Sequence, residues 1–404
     1  MKKSVHYKIN NNITPVILLG GGVVALSVGR SLARANIQTF VLDDSESEAY
    51  FSRHCIGIPI PSSKNNIDGW YEWLLNEGNK IHSRSILIPC SDEGLTLIAQ
   101  HRAELEKFYN VIDGDDNLTL ALLDKLKTYD LACKHNIPVP GTWEINSVDD
   151  LHKLAGNIKY PCALKPRESH LFAEHFPSLK LFVINSKEEL VEKFIEADKF
   201  NLKMIVTELI PPASEGYHSY YTFIDNQGNP LFHFTKLRIR QHPNLFGLGT
   251  YNISTWNPEV AELGLRFIKS VGLRGIGTVE FIRDARDGSL KFIECNPRFT
   301  GTTALLPLSG LDWPLLVYNY LLGKALPPTK YKRGVRLFRF VSDFLAFREL
   351  HYNGKLSWLQ WIKSIAHYQH FFYFRWSDPL PFFSRTIPFI KRRTNRILNI
   401  FSQK

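Results

Sequence analysis

Two short stretches decide the fold: residues 277–282 read GTVEFI, and residues 291–298 read KFIECNPR. Apolar and polar side chains alternate along both stretches, which is the pattern of a β-strand with one buried face. An Asp287-Gly288 pair lies between them and is typical of a tight hairpin turn. The sequence therefore predicts that the two stretches form one antiparallel hairpin.

The polar side chains of this hairpin are candidate metal ligands. Because side chains alternate along a strand, Glu294 and Asn296 project from one face, and the hairpin brings Glu280 roughly opposite them. Carboxylate and amide oxygens are the ligands that hard divalent cations prefer. An ordinary hairpin with exposed acids is the alternative, but the apolar neighbours would then set two like charges together at a cost. We predict that these three residues bind Mg²⁺ or Mn²⁺ and that Arg298 holds a transferring phosphoryl group.

Upstream of the hairpin, the chain changes character near residue 118. Before this point strand and helix signals alternate, which indicates a parallel sheet covered by helices. After it, short strands with hairpin turns indicate an α+β body in two lobes. The early strands are predicted at residues 16–19, 39–42 and 86–89, and the early helices near residues 24–35 and 93–108.

Residues 20–25 (GGGVVA) point to a different function for the N-terminal sheet. They fit the dinucleotide-binding fingerprint G-x-G-x-x-A between a strand and a helix, and Asp43 ends the next strand. The same tight turn also occurs in parallel-sheet domains that bind no dinucleotide. An NAD(P)-dependent oxidoreductase is therefore an open alternative at this point, although we recognise no residue for hydride chemistry downstream.

The hairpin and its Glu-x-Asn-Pro-Arg ending resemble the ATP-grasp superfamily, and the resemblance extends from about residue 118 to residue 323. Residues 20–25, 30–32 (RSL) and 89–93 (PCSDE) look like the carboxylate-amine ligase branch that includes D-aspartate ligase and carbamoyl-phosphate-synthase-like ATP-grasp proteins. The resemblance implies an enzyme that uses ATP and Mg²⁺ to join a small-molecule carboxylate to an amine through an acyl phosphate. It also implies an N-terminal sheet that binds no dinucleotide.

The resemblance assigns nucleotide-binding roles along the chain. Lys125 and Lys165 match the two lysines that reach the phosphates, and a lysine ammonium is a strong point-charge partner for phosphate. Glu215 is placed like the acid that accepts from the ribose hydroxyls. The hinge whose backbone meets adenine is similar to residues 207–210, so the predicted adenine contacts are Glu208, Leu209 and Ile210.

Three basic residues alternate along one predicted strand: Lys236, Arg238 and Arg240. On one strand face, all three could line a pocket for a polyanion or a carboxylate. We predict that Lys236 and Arg238 contribute to nucleotide binding and that Arg240 joins Lys165 and Arg298 in catalysis. The alternative is an exposed edge strand that is protected by charge.

One feature departs from the ATP-grasp pattern. Many members follow the second lysine with a glycine-rich lid over the phosphates, whereas Arg167-Glu168-Ser169-His170 follows here. No glycine occurs between Gly156 and Gly216. Ser169 and His170 could supply hydrogen bonds instead, but a catalytically weak ATP-binding protein is a second alternative.

The combined prediction is an α/β and α+β chain with four parts. They are a Rossmann-like pre-grasp domain at residues 1–117, two ATP-grasp lobes at residues 118–200 and 201–328, and a basic, aromatic helical extension at residues 329–404. The extension carries 15 Lys or Arg against 3 acids, and 18 of the 51 aromatic residues. Its aromatics could pack on the body, meet an anionic membrane, or, least favoured, stack on nucleic acid.

The expected location is the cytoplasm, with peripheral membrane contact through the extension, for example through a surface helix at Lys391, Arg392, Arg393 and Arg396. Five widely spaced cysteines suggest buried thiols in a reducing compartment. A secretory signal around residues 16–28 is disfavoured, because polar residues 7–12 separate the early charges from the apolar stretch. A homodimer is also part of the expectation.

Overall fold

The computed structural model describes residues 13–43, 46–60, 66–154, 156–177 and 179–387. Residue contacts divide the chain into two compact units. The first unit comprises Met1–Ile112, Leu311–Pro328 and Phe372–Lys404, and the second comprises Asp113–Gly310 and Thr329–Phe371. The predicted four-part division stays a prediction.

The first unit is built on a five-stranded parallel sheet with strand order β3-β2-β1-β4-β5. Its strands are β1 Val16–Leu19, β2 Thr39–Asp43, β3 Ile56–Pro59, β4 Ile86–Pro89 and β5 Asn110–Val111. Its early helices are α1 Val23–Leu32, α2 Asn66–Trp73, α3 Asn79–His82 and α4 Asp92–Leu105. The central strands are apolar and buried on both faces, as a sheet covered by helices requires. The predicted parallel sheet is confirmed.

The second unit contains a small antiparallel sheet with strand order β6-β9-β7-β8. Its strands are β6 Thr142–Glu144, β7 Cys162–Pro166, β8 Phe182–Ile184 and β9 Met204–Glu208. Helices α7 Val148–Leu154, α8 Ser169–His175 and α9 Lys187–Asp198 belong to the same lobe. The Ser186 hydroxyl caps α9 by accepting from the Glu189 amide at 3.2 Å, which satisfies one free N–H of the first turn.

A seven-stranded sheet forms the other lobe of the second unit, with strand order β14-β13-β10-β11-β12-β15-β16. Its strands are β10 Pro212–Ile224, β11 Phe234–His242, β12 Leu248–Thr255, β13 Gly275–Asp284, β14 Leu290–Asn296, β15 Arg336–Phe338 and β16 His370–Phe371. Strands β13 and β14 pair antiparallel and are the hairpin that residues 277–298 predict. The α/β and α+β fold class is confirmed.

Helices pack a common core against this large sheet. The remaining helices are α5 Asp116–Leu123, α6 Lys125–Lys134, α10 Pro258–Ser270, α11 Leu305–Ser309, α12 Trp313–Leu321 (first unit), α13 Phe340–Tyr352 and α14 Trp358–Ile365. Tyr129 of α6, Phe267 of α10 and Phe292 of β14 are buried in one apolar cluster. Burial of rings this large fixes α6 firmly against the β13–β14 hairpin.

The predicted C-terminal extension belongs to both units. In the second unit, buried Asp343 of α13 accepts from Trp361 Nε1 of α14 at 2.9 Å, so the packing alternative holds for this ring. In the first unit, Asp378 forms a buried ion pair with Arg30 at 2.8 Å. Trp358 and Trp376 are exposed. The helix proposed around Lys391 lies outside the described residues.

Two further expectations from the sequence concern membrane-spanning helices and the state of the cysteines. Within the described ranges, no helix combines the length and the apolar character that a membrane span needs. All five cysteines are free thiols, and only Cys133 is exposed.

Candidate nucleotide and metal site

The predicted metal ligands lie together on the β13–β14 hairpin. Glu280 is directly opposite Glu294 in the antiparallel register, and Thr278 is opposite Asn296. The Asn296 amide donates to Glu294 Oε1 at 3.0 Å, so both side chains occupy the same face. We call Glu280 and Glu294 the carboxylate pair.

Basic residues of β11 extend this row across the sheet. Ser219 of β10 is paired with Glu280 on one side and with Lys236 on the other, so Lys236 lies two strands from the carboxylate pair. Lys236 is buried and donates no hydrogen bond to a described residue. Arg238 donates to Glu280 Oε2 at 2.8 Å, and its guanidinium lies 5.0 Å from the Tyr217 ring centre.

These cations keep Glu280 ionised. Burial alone would raise the pKa of its carboxyl, but Arg238, Lys236 and Lys180 outweigh that effect, and the pKa is lowered. A charged carboxylate at this position is a competent ligand for a hard cation.

A partly buried ion pair positions the two lysines predicted to bind phosphate. Asp124 caps α6 by accepting from the Leu126 amide at 2.9 Å, and it also accepts from Arg167 Nε at 3.0 Å. Arg167 directly follows β7, and its carbonyl accepts from the Lys125 amide at 2.9 Å. The start of α6, which carries Lys125, is thereby tied to the end of β7, which carries Lys165.

Lys165 is a buried lysine whose charge is destabilised. Its Nζ lies 3.5 Å from Tyr129 Oη, and its side chain is 8% exposed. Burial, and then repulsion by Lys125, lower the pKa of Lys165 to about 8, although Glu294 opposes the shift. Lys125 donates to Ser169 Oγ at 2.6 Å. Both lysines thus belong to the same electrostatic neighbourhood as the hairpin.

Lys180 is a member of this neighbourhood that the sequence did not single out. Lys180 is an exposed residue, and the pKa of its ammonium is lowered, with desolvation as the largest cause. Glu294 and Glu280 attract the ammonium, whereas Arg238 and Lys125 repel it. The available signal was its place just before β8, which pairs with the strand of Lys165. We call Lys125, Lys165, Lys180, Lys236 and Arg238 the cationic cluster.

The predicted adenine hinge follows β9. The amides of Leu209 and Ile210 donate to no backbone acceptor in the described part of the chain, which leaves them available to a ligand. Glu208 uses its own amide on the Gly141 carbonyl at 2.8 Å, and its carboxylate forms an ion pair with Arg286. The hinge role therefore rests on the backbone beyond Glu208. Glu215 is exposed in an irregular stretch of β10, where its carbonyl oxygen contacts His218.

Arg240 lies in different surroundings from the rest of the predicted site. The register of β11 shifts on both sides of Arg240, so simple alternation with Lys236 and Arg238 is broken. Its buried guanidinium donates to Asp343 at 2.9 Å and to Ser364 Oγ at 2.8 Å. This pairing is a correction to the expectation that all three basic residues line one pocket, and it anchors α13 to the sheet.

Arg298 is half-buried just beyond the hairpin, and its Nη1 donates to the Phe299 carbonyl at 3.1 Å. The donor set nearby consists of oxygen atoms only. Within the described ranges, no three His, Cys, Asp or Glu side chains form a metal-binding group. The candidate centre instead combines the carboxylate pair with the Asn296 amide, which is a donor set that fits Mg²⁺ or Mn²⁺.

The glycine loop of the first unit is packed against its own protein. A Cβ added at Gly21 would lie 2.5 Å from the Cys90 carbonyl oxygen, so the residue that follows β4 already fills that approach. The Gly22 amide, which a pyrophosphate would need, donates to Asp43 Oδ2 at 3.1 Å. Glu48 Oε2 lies 2.9 Å from the position of a Gly22 Cβ. Two carboxylates at this helix start oppose the binding of an anion.

Known proteins resemble this chain in sequence and in structure. No family model matches the chain. The curated D-aspartate ligase of Enterococcus faecium is 24% identical over 237 residues, which are 56% of this chain and 56% of that protein. The match thus spans little more than half the length of that relative.

Solved structures match over a larger part of the chain. The biotin carboxylase domain of Hydrogenobacter thermophilus 2-oxoglutarate carboxylase, solved with MgADP, ADP and bicarbonate, covers 80% of the chain with a TM-score of 0.63 and 19% identity, over 73% of its own length. Carboxyaminoimidazole ribonucleotide synthase of Aspergillus clavatus, solved with ATP, covers 80% with a TM-score of 0.62 and 16% identity, over 81% of its length.

The chain has the ATP-grasp fold. The resemblance inferred from the hairpin is therefore confirmed at the level of the fold. A third ATP-grasp structure, the L-amino acid ligase of Bacillus licheniformis, covers 76% of the chain and 74% of its own, with a TM-score of 0.58 and 14% identity.

Proposed function

We propose that the chain is a Mg²⁺- and ATP-dependent ligase that joins a carboxylate to an amine through an acyl phosphate. The observation that carries this proposal is the charge arrangement of the second unit. Glu280 and Glu294 face each other across two strands, and the cationic cluster surrounds them. Few ligands other than a metal-bound polyphosphate satisfy both groups at once.

The balance of charge favours a polyanion. Five basic side chains surround two carboxylates, so the cluster keeps an excess of positive charge. The pKa values of Lys165 and Lys180 in this cluster are both lowered, with desolvation as the largest cause. A triphosphate would relieve this destabilisation, because phosphate oxygens stabilise the charged form of each lysine.

Glu280, Glu294 and Asn296 would hold the cation. Mg²⁺ takes one or two protein carboxylates and keeps its other positions for water and phosphate oxygens, which matches this small donor set. Its chemical contribution is to neutralise charge that develops on the phosphoryl group. Lys125 and Lys165 would hold the inner phosphates, and the amides after Glu208 would face adenine.

The reaction needs little covalent chemistry from the protein. A carboxylate oxygen of the first substrate attacks the γ-phosphorus, the bond from phosphorus to the bridging oxygen breaks, and ADP leaves. The amine of the second substrate then attacks the acyl carbon, phosphate leaves, and the nitrogen loses a proton to water. Lys236 and Arg238 would orient the carboxylate, and Arg298 would steady the phosphoryl group. Positioning and charge neutralisation supply the catalysis.

Amino acids are the proposed substrate class. Two proteins similar to this chain are named as ligases of amino acids, D-aspartate ligase and L-amino acid ligase. The buried Lys236 and the half-buried Arg238 are suited to the carboxylate that such substrates carry. Peripheral membrane contact and a homodimer stay predictions. Exposed Trp358, Leu359 and Ile362 on α14 would be the part of the described extension available for such contact.

A screen for ADP release tests the proposal. The purified chain is incubated with Mg²⁺, ATP and pairs of amino acids, and ADP and phosphate are measured. We expect at least one pair to raise release above the ATP-only background, with equal amounts of ADP, phosphate and amide product. A chain that shows no release with any pair and no thermal stabilisation by Mg²⁺ and a nonhydrolysable ATP analogue would contradict the proposal.

A further inference from the structure

Exposed hydrophobic side chains are concentrated in one part of the chain. Of the 21 large hydrophobic residues that are exposed in the described ranges, 11 lie between Phe340 and Ile387. Single exposed apolar residues are common on any protein, but a group of neighbouring ones marks a surface that meets a partner. This concentration therefore indicates an interaction surface in the C-terminal extension.

Helix α14 carries the clearest group of these side chains. Trp358, Leu359 and Ile362 are 50%, 62% and 51% exposed. Ile362 follows Trp358 by four residues and Leu359 by three, and side chains at these two spacings are neighbours on a helix surface. The three side chains thus form one continuous apolar surface, which we call the α14 face.

The protein holds α14 in place from its other side. The Ser357 hydroxyl accepts from the Gln360 amide at 3.2 Å, and Gln360 Oε1 accepts from the Ser357 amide at 2.8 Å, so the helix start is capped. Trp361 is buried, and its ring stacks on Phe347 of α13 at 4.8 Å. The α14 face is therefore preformed.

The charges beside the α14 face are positive. Between Leu350 and Phe371 the chain contains no Asp or Glu, and the two lysines of this stretch, Lys355 and Lys363, are exposed on either side of the face. The two acids of α13 are already engaged, since Asp343 is buried and Glu349 accepts from the Asn244 amide at 3.0 Å. A partner of this surface must accept both apolar side chains and positive charge.

These properties favour an anionic lipid surface over a second copy of the chain. A symmetric contact between two α14 faces would bring the lysines of both copies together, and like charges repel. Anionic headgroups attract the lysines instead, and the acyl boundary below them accepts the apolar side chains. The indole of Trp358 suits the same depth, because its ring is apolar and its N–H is polar.

We propose that the α14 face binds an anionic membrane surface. Trp358, Leu359 and Ile362 enter the headgroup region, and Lys355 and Lys363 contact lipid phosphates. Because α14 has only eight residues, the contact is shallow and reversible. This inference goes beyond the proposed ligase activity and does not depend on it.

Sedimentation of the full chain with sucrose-loaded vesicles tests the proposal. The vesicles consist of phosphatidylcholine alone or with about 30% phosphatidylglycerol. We expect the wild type to bind the anionic vesicles, to bind the neutral ones much more weakly, and to dissociate as salt is added.

Two double variants separate the apolar and the charged contribution. Leu359→Gln with Ile362→Gln is expected to lower the partition onto anionic vesicles by about tenfold or more, since both side chains leave water on binding. Lys355→Glu with Lys363→Glu is expected to lower it by at least as much and to abolish the preference for anionic over neutral vesicles.

The matched control is Ile195→Gln with Leu245→Gln, which also removes two exposed aliphatic side chains but leaves the α14 face intact. It should bind vesicles as the wild type does. All variants should keep the unfolding midpoint of the wild type and its Mg²⁺-dependent affinity for the nonhydrolysable ATP analogue AMPPNP. The result is thereby independent of the nucleotide site.

Three outcomes would overturn the proposal. The first is a wild type that does not bind anionic vesicles. The second is wild-type binding by Leu359→Gln with Ile362→Gln, which would assign the lipid contact to another part of the chain. The third is self-association of the wild type that this double variant abolishes while vesicle binding is unchanged, because the α14 face would then be covered by a second copy.

Discussion

Two regions of this chain carry sequence patterns of nucleotide binding, and their structures differ in the charge that they present. In the first unit, Gly22 donates to Asp43, and Glu48 lies beside the same loop, so two carboxylates occupy the place of a pyrophosphate. In the second unit, the cationic cluster exceeds the carboxylate pair in charge, and its lysines are destabilised by burial. Acidic side chains thus face the glycine loop of the first unit, whereas the second unit presents an excess of positive charge.

The difference shows that a glycine pattern reports backbone geometry rather than ligand chemistry. The tight turn at residues 20–22 needs glycine because all three have positive φ and because Cys90 leaves no room for a side chain at Gly21. Phosphate binding needs unpaired donors and positive charge in addition. Of these two described regions, the second presents the excess of positive charge.

The largest expected effect concerns the carboxylate pair. Glu294→Gln keeps the shape of the side chain but removes a charged metal ligand, so we expect ADP release to fall by about 10²- to 10³-fold or more. Circular dichroism and the unfolding midpoint should stay close to those of wild type. Glu262→Gln, on the exposed face of α10, is the control and should retain full turnover. Unchanged turnover in Glu294→Gln would remove the metal site from the account.

A smaller effect is expected from pH. Because burial and Lys125 lower the pKa of Lys165 to about 8, this lysine loses its charge as the pH rises through that value. Phosphate binds the charged form, so affinity for Mg²⁺ and AMPPNP should be full below pH 8 and should fall above it, towards about tenfold per pH unit. Lys180, whose pKa is also lowered, acts in the same direction.

Lys165→Gln should bind AMPPNP more weakly and show a shallower pH dependence, which calorimetry between pH 6.5 and 9.5 would measure. These two pH values bracket the titration by about 1.5 units on either side. A wild-type affinity that stays flat across this range would show that Lys165 does not touch the phosphates.

The smallest functional effect is expected at the glycine loop. Gly21→Ala places a Cβ 2.5 Å from the Cys90 carbonyl at a φ of 101°, so the free energy of unfolding should fall by about 1–3 kcal/mol. Urea denaturation measures this loss, and Gly114→Ala, whose Cβ would meet nothing within 4 Å, is the control. The AMPPNP affinity of folded Gly21→Ala should stay within about twofold of wild type, since the substitution removes no proposed contact to the nucleotide. A selective loss of nucleotide binding would reverse the comparison between the two regions.

Local patterns predicted the parts of the site that lie close together in sequence. The pairing of Glu280 with Glu294 follows from one hairpin, so alternation and a turn signal were sufficient to predict it. The alternation of basic residues did not predict the surroundings of Arg240, because it carries no sign of the register shifts in β11. Asp343, its partner, lies 103 residues away in the chain.

Elements whose formation depends on pairing between distant residues could also not be predicted from the sequence. Strands β15 and β16 are short, and they exist because they complete the edge of the large sheet beside β12. Lys180 resembles any solvated lysine until the small sheet places it among charges from three other elements. In each case the deciding interaction joins residues whose separation along the chain carries no periodic signal.

Equilibrium titration of the wild-type chain with AMPPNP, with and without Mg²⁺, and with NADH tests the central claim most directly. The account predicts AMPPNP binding that strengthens when Mg²⁺ is added and no saturable binding of NADH. Saturable NADH binding, together with AMPPNP binding that is absent or indifferent to Mg²⁺, would contradict it.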